Sequence, residues 1–173
     1  RGQFGLSIAS LEDSLCGFRA LGHLPFTGLC LTGLALAHAR AGDCREAVDC
    51  LRESLEICRQ VHHPYLLTAI GERTALVGDP HADDVQMAEF VGAIDTVKRT
   101  RAMGLSPNPI ELAQFEETVG RLEERLGRAV FREAWERGSI LSFEETLALT
   151  GEVLDGLAEA MLSNDDAGRG RPQ

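Results

Sequence analysis

Lysine is almost missing from this chain: Lys98 stands alone, and arginine supplies the other cations. Those arginines are scattered between acids rather than gathered on one face, and the net charge is −10. Such a balance repels phosphate backbones, so direct nucleic-acid contact by this segment is not expected. Aromatic residues make up only 5% and no sustained apolar–polar alternation occurs, so strands are not expected either. No apolar run reaches the roughly 18 residues that a membrane span needs. No charged-then-apolar leader opens the chain, so a cytoplasmic location is expected. Residue 1 is Arg rather than Met, which suggests a piece of a longer polypeptide.

The motifs of common chemistry are missing as well. A phosphate loop needs a Gly-Lys pair, but the one lysine follows Val97. No G-x-S-x-G elbow, C-x-x-C or H-E-x-x-H occurs. The paired acids Glu116-Glu117 and Glu144-Glu145 point about 100° apart on a helix and have arginine neighbours such as Arg121, so solvated faces are expected. Five cysteines form no disulfide framework and are read as free thiols. Three of them, Cys44, Cys50 and Cys58, lie close to His38, His62 and His63, which raises the question of a metal. Cys50 and Cys58 would stand about 12 Å apart along a helix, too far to share a zinc ion. Cys58 is read as core instead, and neither a metal nor a cofactor is expected.

What is present is helical periodicity. A chain of 173 residues, 44% hydrophobic and 25% charged, allows one domain with a real core. From residue 4 to 161 apolar side chains recur at steps of three and four. Gly, Asp and Pro clusters divide the helices at 22–25, 41–43, 62–64, 77–84 and 104–109. Residues 163–173 are polar and Gly-rich and read as a disordered tail.

The helices repeat. "LEDSLCGFRALGH" at 11–23 lies over "LRESLEICRQVHH" at 51–63, matching Leu11, Ser14, Leu15, Arg19 and His23 to Leu51, Ser54, Leu55, Arg59 and His63. "TGLALAHARAGD" at 32–43 falls likewise on "TAIGERTALVGD" at 68–79. Two alternating helix types, A and B, form the unit. Residues 28–59 resemble a tetratricopeptide repeat through Leu31, Leu34-Ala35, Gly42, Ala47, Leu51 and Ser54. Small side chains at Ala35, Ala47 and Ser54 permit close helix approach, and Gly42 suits a left-handed cap.

Residues 87–150 resemble the C-terminal end of bacterial STAND-type signal-transduction ATPases, the LuxR-type and maltose-activator (MalT-like) regulators. The match rests on Gly92-Ala93, a Pro-rich loop and a Glu/Arg-rich helix. A closing phrase completes it: Phe131, Ala134, Trp135, Gly138, Leu141, Ser142, Glu144 and Glu145, with Thr146 where that family has alanine. The linker at 78–87 departs from the pattern and suggests an altered turn. The resemblance implies an all-α fold, a right-handed α-solenoid of tetratricopeptide-like pairs over 1–103, with C-terminal helices over 104–162 capping the same domain.

Local signals agree with helices in that second half. Asn108-Pro109 reads as a cap followed by Pro at the first helical position. Leu112, Phe115, Val119, Leu122 and Leu126 make one stripe, and Leu147, Thr150, Leu154, Leu157 and Met161 another. Gly127 and Gly138 suit helix ends, and Ser142 with Glu145 reads as a capping box. Trp135 either plugs the end of the stack or serves as a binding aromatic. Gly28, Gly33, Gly71 and Gly92 sit inside helices, where only tight contact would justify them.

In such repeats the A helices line a concave groove. By repeat position Thr32, Leu36, Arg40, Thr68 and Glu72 should face it, the alternative being packing between repeats or solvent. The resemblance then implies a non-catalytic interaction or sensor module that binds a protein, a peptide or a small effector. Its binding would bias an upstream ATPase or output domain of the same chain. Two other readings stand beside it: the regulatory tail of a cyclase- or kinase-containing enzyme, and a self-association domain. The apolar first helix, with Phe4, Leu6, Ile8 and Leu11, would favour a homodimer.

Overall fold

A computed structural model describes residues 2–79, 82–100 and 109–169. These residues form helices joined by short turns, with no strand among them. The helices are α1 (Gly2–Ala20), α2 (Leu24–Ala41), α3 (Cys44–Val61), α4 (Pro64–Gly78) and α5 (Asp84–Thr100). They are followed by α6 (Pro109–Leu126), α7 (Arg128–Ser139) and α8 (Phe143–Arg169). The all-α expectation is met.

The helix boundaries follow from local chemistry. Gly42 closes α2 in the left-handed region at φ 92°, where only glycine is free of Cβ strain. Its counterpart after α3 is His62, a non-glycine residue held at φ 49°. Gly127 takes φ 75° between α6 and α7, so that glycine marks a boundary as expected. The Ser142–Glu145 capping box is formed: the Ser142 N–H donates to Glu145 Oε2 at 2.8 Å, and the Glu145 N–H donates to Ser142 Oγ at 3.2 Å. Hydrogen bonding from the Ser142 side chain and from its backbone N–H holds the Glu145 carboxyl below its ordinary range. Ahead of α5 the Asp83 carboxylate accepts the N–H of Gln86 at 2.9 Å and caps that helix. Asn108, the expected cap of α6, and Pro80 and His81 of the linker lie outside the described residues.

From α1 to α5 each helix packs against the next. α2 lies against α1, α3 and α4, and α4 lies against α3 and α5. On α3 the residues Ala47, Leu51, Ser54, Leu55 and Cys58 are all buried. Ser54 Oγ donates to the Gly28 carbonyl at 3.0 Å, a bond that a larger side chain would prevent. Beyond α4 the order changes. α8 returns to pack on α3, α4 and α5, with Leu147, Thr150, Val153, Leu154 and Leu157 buried. Arg52 of α3 forms an ion pair with Asp155 of α8, and the Arg59 side chain passes over Gly151. α8 also continues to Arg169, past residue 163 where the sequence suggests a tail. No proline interrupts that stretch before Pro172, so nothing in it forces the helix to stop.

The tightest crossing is α5 on α7. A Cβ on Gly138 would overlap the Glu89 carbonyl oxygen, and one on Gly92 would overlap the Trp135 carbonyl oxygen. Backbone lies against backbone there, so neither glycine can be replaced without parting the helices. Gly138 stands at the end of α7, as expected, and there serves this contact without a positive φ. The Thr96 hydroxyl adds a bond to the Ser139 carbonyl at 3.1 Å.

Candidate functional site

The five residues expected to line a concave groove fall into two groups. Thr32, Leu36 and Thr68 are buried. The Thr32 hydroxyl donates to the Leu29 carbonyl and the Thr68 hydroxyl to the Tyr65 carbonyl, each at 2.8 Å. Their donors are thus satisfied inside their own helices, and a partner could reach these three only by opening the packing. They follow the packing alternative. Arg40 is exposed, but its Nη2 donates to Gln114 Oε1 of α6 at 3.0 Å. Glu72 accepts from Lys98 Nζ of α5 at 2.6 Å and from Arg73 Nη1 at 3.2 Å.

The reason is visible in α6, which lies across the C-terminal ends of α2 and α4. At one end Gln114 meets Arg40. At the other, Asp79 accepts from both Arg121 and Arg125, and Arg125 also reaches Asp84 at 2.7 Å. Between them Phe115 is buried under Lys98, whose Nζ stands 5.6 Å from the ring centroid. These acceptors hold the Arg125 proton more firmly than usual, Asp84 contributing most. Of the five residues, Arg40 thus meets α6 and Glu72 meets α5.

An open apolar cleft lies between α6 and α7. Two adjoining cavities of about 420 and 280 Å³ share Val119 and Trp135. α6 contributes Leu112, Phe115 and Val119, and α7 contributes Phe131 and Trp135. The combined space falls within the range of about 300–1,000 Å³ typical of binding pockets. The Trp135 backbone seals the contact with Gly92, while its half-buried ring lies 5.5 Å from Phe131 and lines both cavities. Its backbone thus packs on α5 while its ring borders the cleft.

The walls of the cleft differ in charge. On α6 stand Glu116 and Glu123; on α7 stand Arg128 and Arg132. None of these four forms an ion pair among the described residues. Lys98 and Arg99 at the end of α5 also border the cleft, but each is engaged, with Glu72 and with Asp95 at 2.8 Å. This cleft was not anticipated from the sequence. Its floor was legible as the stripe on α6, but the stripe gives no sign that α7 stands clear of it.

The cysteine–histidine stretch has other duties. Cys58 is fully buried, and its thiol lies 3.6 Å from the His63 carbonyl. Burial pushes that thiol up to about 11, and burial with nearby acids, Glu53 first, does the same at Cys50. Among the described residues no three His, Cys, Asp or Glu side chains converge as a metal would require. The repeat-matched histidines are helix caps: His23 Nδ1 accepts from the Phe26 N–H, and His63 Nδ1 accepts from the Leu66 N–H, each at 3.3 Å. A proline follows each cap inside the first turn, at Pro25 and Pro64. The pairing of His23 with His63, each just before a proline, was the available signal.

No family model, curated protein or solved structure matches this chain. The function must therefore be argued from these residues alone.

Proposed function

We propose that this chain is a non-catalytic protein–protein interaction or sensor module of a multidomain bacterial signalling regulator. By its resemblance it belongs beside the LuxR/MalT-like regulators, in the cytoplasm, with its output carried by an ATPase or other domain elsewhere in the polypeptide. The packing of α2 against both α3 and α4 supports a tetratricopeptide-like right-handed solenoid in the first half. The observation that carries the reading is the cleft between α6 and α7: apolar below, open to solvent, and edged by unpaired charge of both signs. Charged rims around apolar floors favour recognition of another polypeptide.

The test is affinity capture by the purified chain, comparing wild type with Arg128→Glu/Arg132→Glu. Both arginines are exposed, so the double variant should keep its helical circular dichroism. The reading expects one reproducible protein or peptide partner, held by the wild type and lost from the variant. Capture of the same proteins by both forms would count against the cleft, and finding none would count against an interaction module.

Self-association has its own observation. Leu6, near the start of α1, is 77% exposed; Leu21, just past its end, is 78% exposed; and Phe26, in the first turn of α2, is 48% exposed. Ile8 and Leu11 are partly covered, and the Phe4 side chain lies outside the described residues. Light scattering against concentration, with Leu6→Ser/Leu21→Ser as control, decides whether these side chains pair two chains.

A further inference from the structure

Resting on the interaction reading, we infer that the cleft between α6 and α7 receives a single amphipathic helix from another protein. That helix carries a bulky apolar stripe, with basic residues along one flank and acidic residues along the other.

The apolar requirement comes from the floor. Leu112, Phe115, Val119, Phe131 and Trp135 offer rings and branched chains along about two helical turns of α6. Large apolar side chains at i, i+3, i+4 and i+7 would fill the two cavities on either side of Trp135. The helical requirement comes from the backbone. An extended peptide must find partners for its N–H and C=O groups, and the described residues offer no sheet edge. A helix satisfies those groups internally and can enter an apolar cleft without stranding them.

The flanks follow from the two walls. Glu116 and Glu123 stand two turns apart on α6, about 10.5 Å along its axis. Arg128 and Arg132 stand one turn apart on α7. These acids and bases face the same cleft yet form no ion pair with each other, since the cleft separates them. An inserted helix can bridge both walls at once, with Lys or Arg toward α6 and Asp or Glu toward α7. A uniformly basic or acidic helix would satisfy one wall and be repelled by the other. A phosphate-bearing ligand would meet the same repulsion from Glu116 and Glu123.

Three designed peptides of about four turns each test this, sharing one apolar face and differing in their flanks. One has a basic and an acidic flank, one has two acidic flanks, and one has two basic flanks. Trp135 is the single tryptophan, so its emission reports binding at the cleft. The two-sign peptide should bind at least tenfold more tightly than either uniform peptide and should shift that emission. In Arg128→Glu/Arg132→Glu both walls become acidic, so preference should pass to the two-basic peptide, an exchange that general damage to the fold would not produce. Equal binding of all three, no emission change, or an unchanged preference in the variant would overturn the inference. So would a wild-type dimer that the double variant dissociates, since the cleft would then belong to a second copy. If no peptide binds while a captured partner is still lost from the variant, the helical partner is refuted and the interaction module stands.

Discussion

At the scale of single residues, the glycines separate what composition can say from what only contact can say. Gly138 reads in sequence as a helix end, yet its role is to let the Glu89 carbonyl come within reach of its Cα. The two roles look alike in a string of letters because both need the missing Cβ. Gly138→Ala should cost about 3 kcal/mol, the upper part of the range for overpacked sites, because the atom it meets is backbone and cannot rotate away. Urea unfolding followed by circular dichroism measures it; a loss below about 1 kcal/mol, the usual helix preference reversed, would show that the crossing is looser than described. Gly42 and Gly127 were legible for the opposite reason, since a positive φ belongs to the local chain and leaves its mark beside Asp43 and Arg128. Cys58 was legible too, because the stripe Ala47, Leu51, Ser54 and Leu55 puts it on the core side of α3 whatever its neighbours.

At the scale of elements, α6 decides how much of the site could be foreseen. Its apolar stripe correctly marked Phe115 and Leu122 as buried. The stripe says that a helix needs a partner face and nothing of which face it takes. The placement depends on Arg121 and Arg125 finding Asp79 and Asp84 some forty residues earlier in the chain, a long-range pairing with no local trace. Arg40 and Glu72, assigned to a groove by repeat position, bind Gln114 of α6 and Lys98 of α5. Replacing Arg125 by Leu should loosen α6 by about 1 kcal/mol, allowing for solvent screening around a partly exposed side chain. The effect should shrink in 1 M salt, where the screening length is about 3 Å. Hydrogen exchange along α6 reads it out: faster exchange there, with α2 and α3 unchanged, is expected. Acceleration spread evenly over all helices would mean that the arginine supports the whole core rather than one helix.

At the scale of the whole molecule, the helical class was legible because three- and four-residue periodicity needs no knowledge of neighbours. The path of the chain after α4 was not. The repeat signal predicts each pair stacking on the last, and consecutive helices from α1 to α5 do touch one another. α8, however, settles on α3, and contacts between chain segments so far apart arise from complementary surfaces rather than from any local motif. This return path makes the helices depend on one another. Thermal melting should therefore be one transition, with circular dichroism, which samples every helix, and the emission of Trp135, which samples α7, falling together. Separate midpoints would indicate that the early pairs and the late helices melt independently.

The docking of α8 onto α3 also bears on mechanical load. In an array held only by nearest neighbours, tension peels units away one after another, each yielding at a small pull. Here a pull applied through α3 and α8 must shear α8 from its seat against Leu55 and the Arg52–Asp155 link before the two helices part. Resistance is concentrated at that seam, so the molecule should hold its shape under stretch and then give way in a single rip.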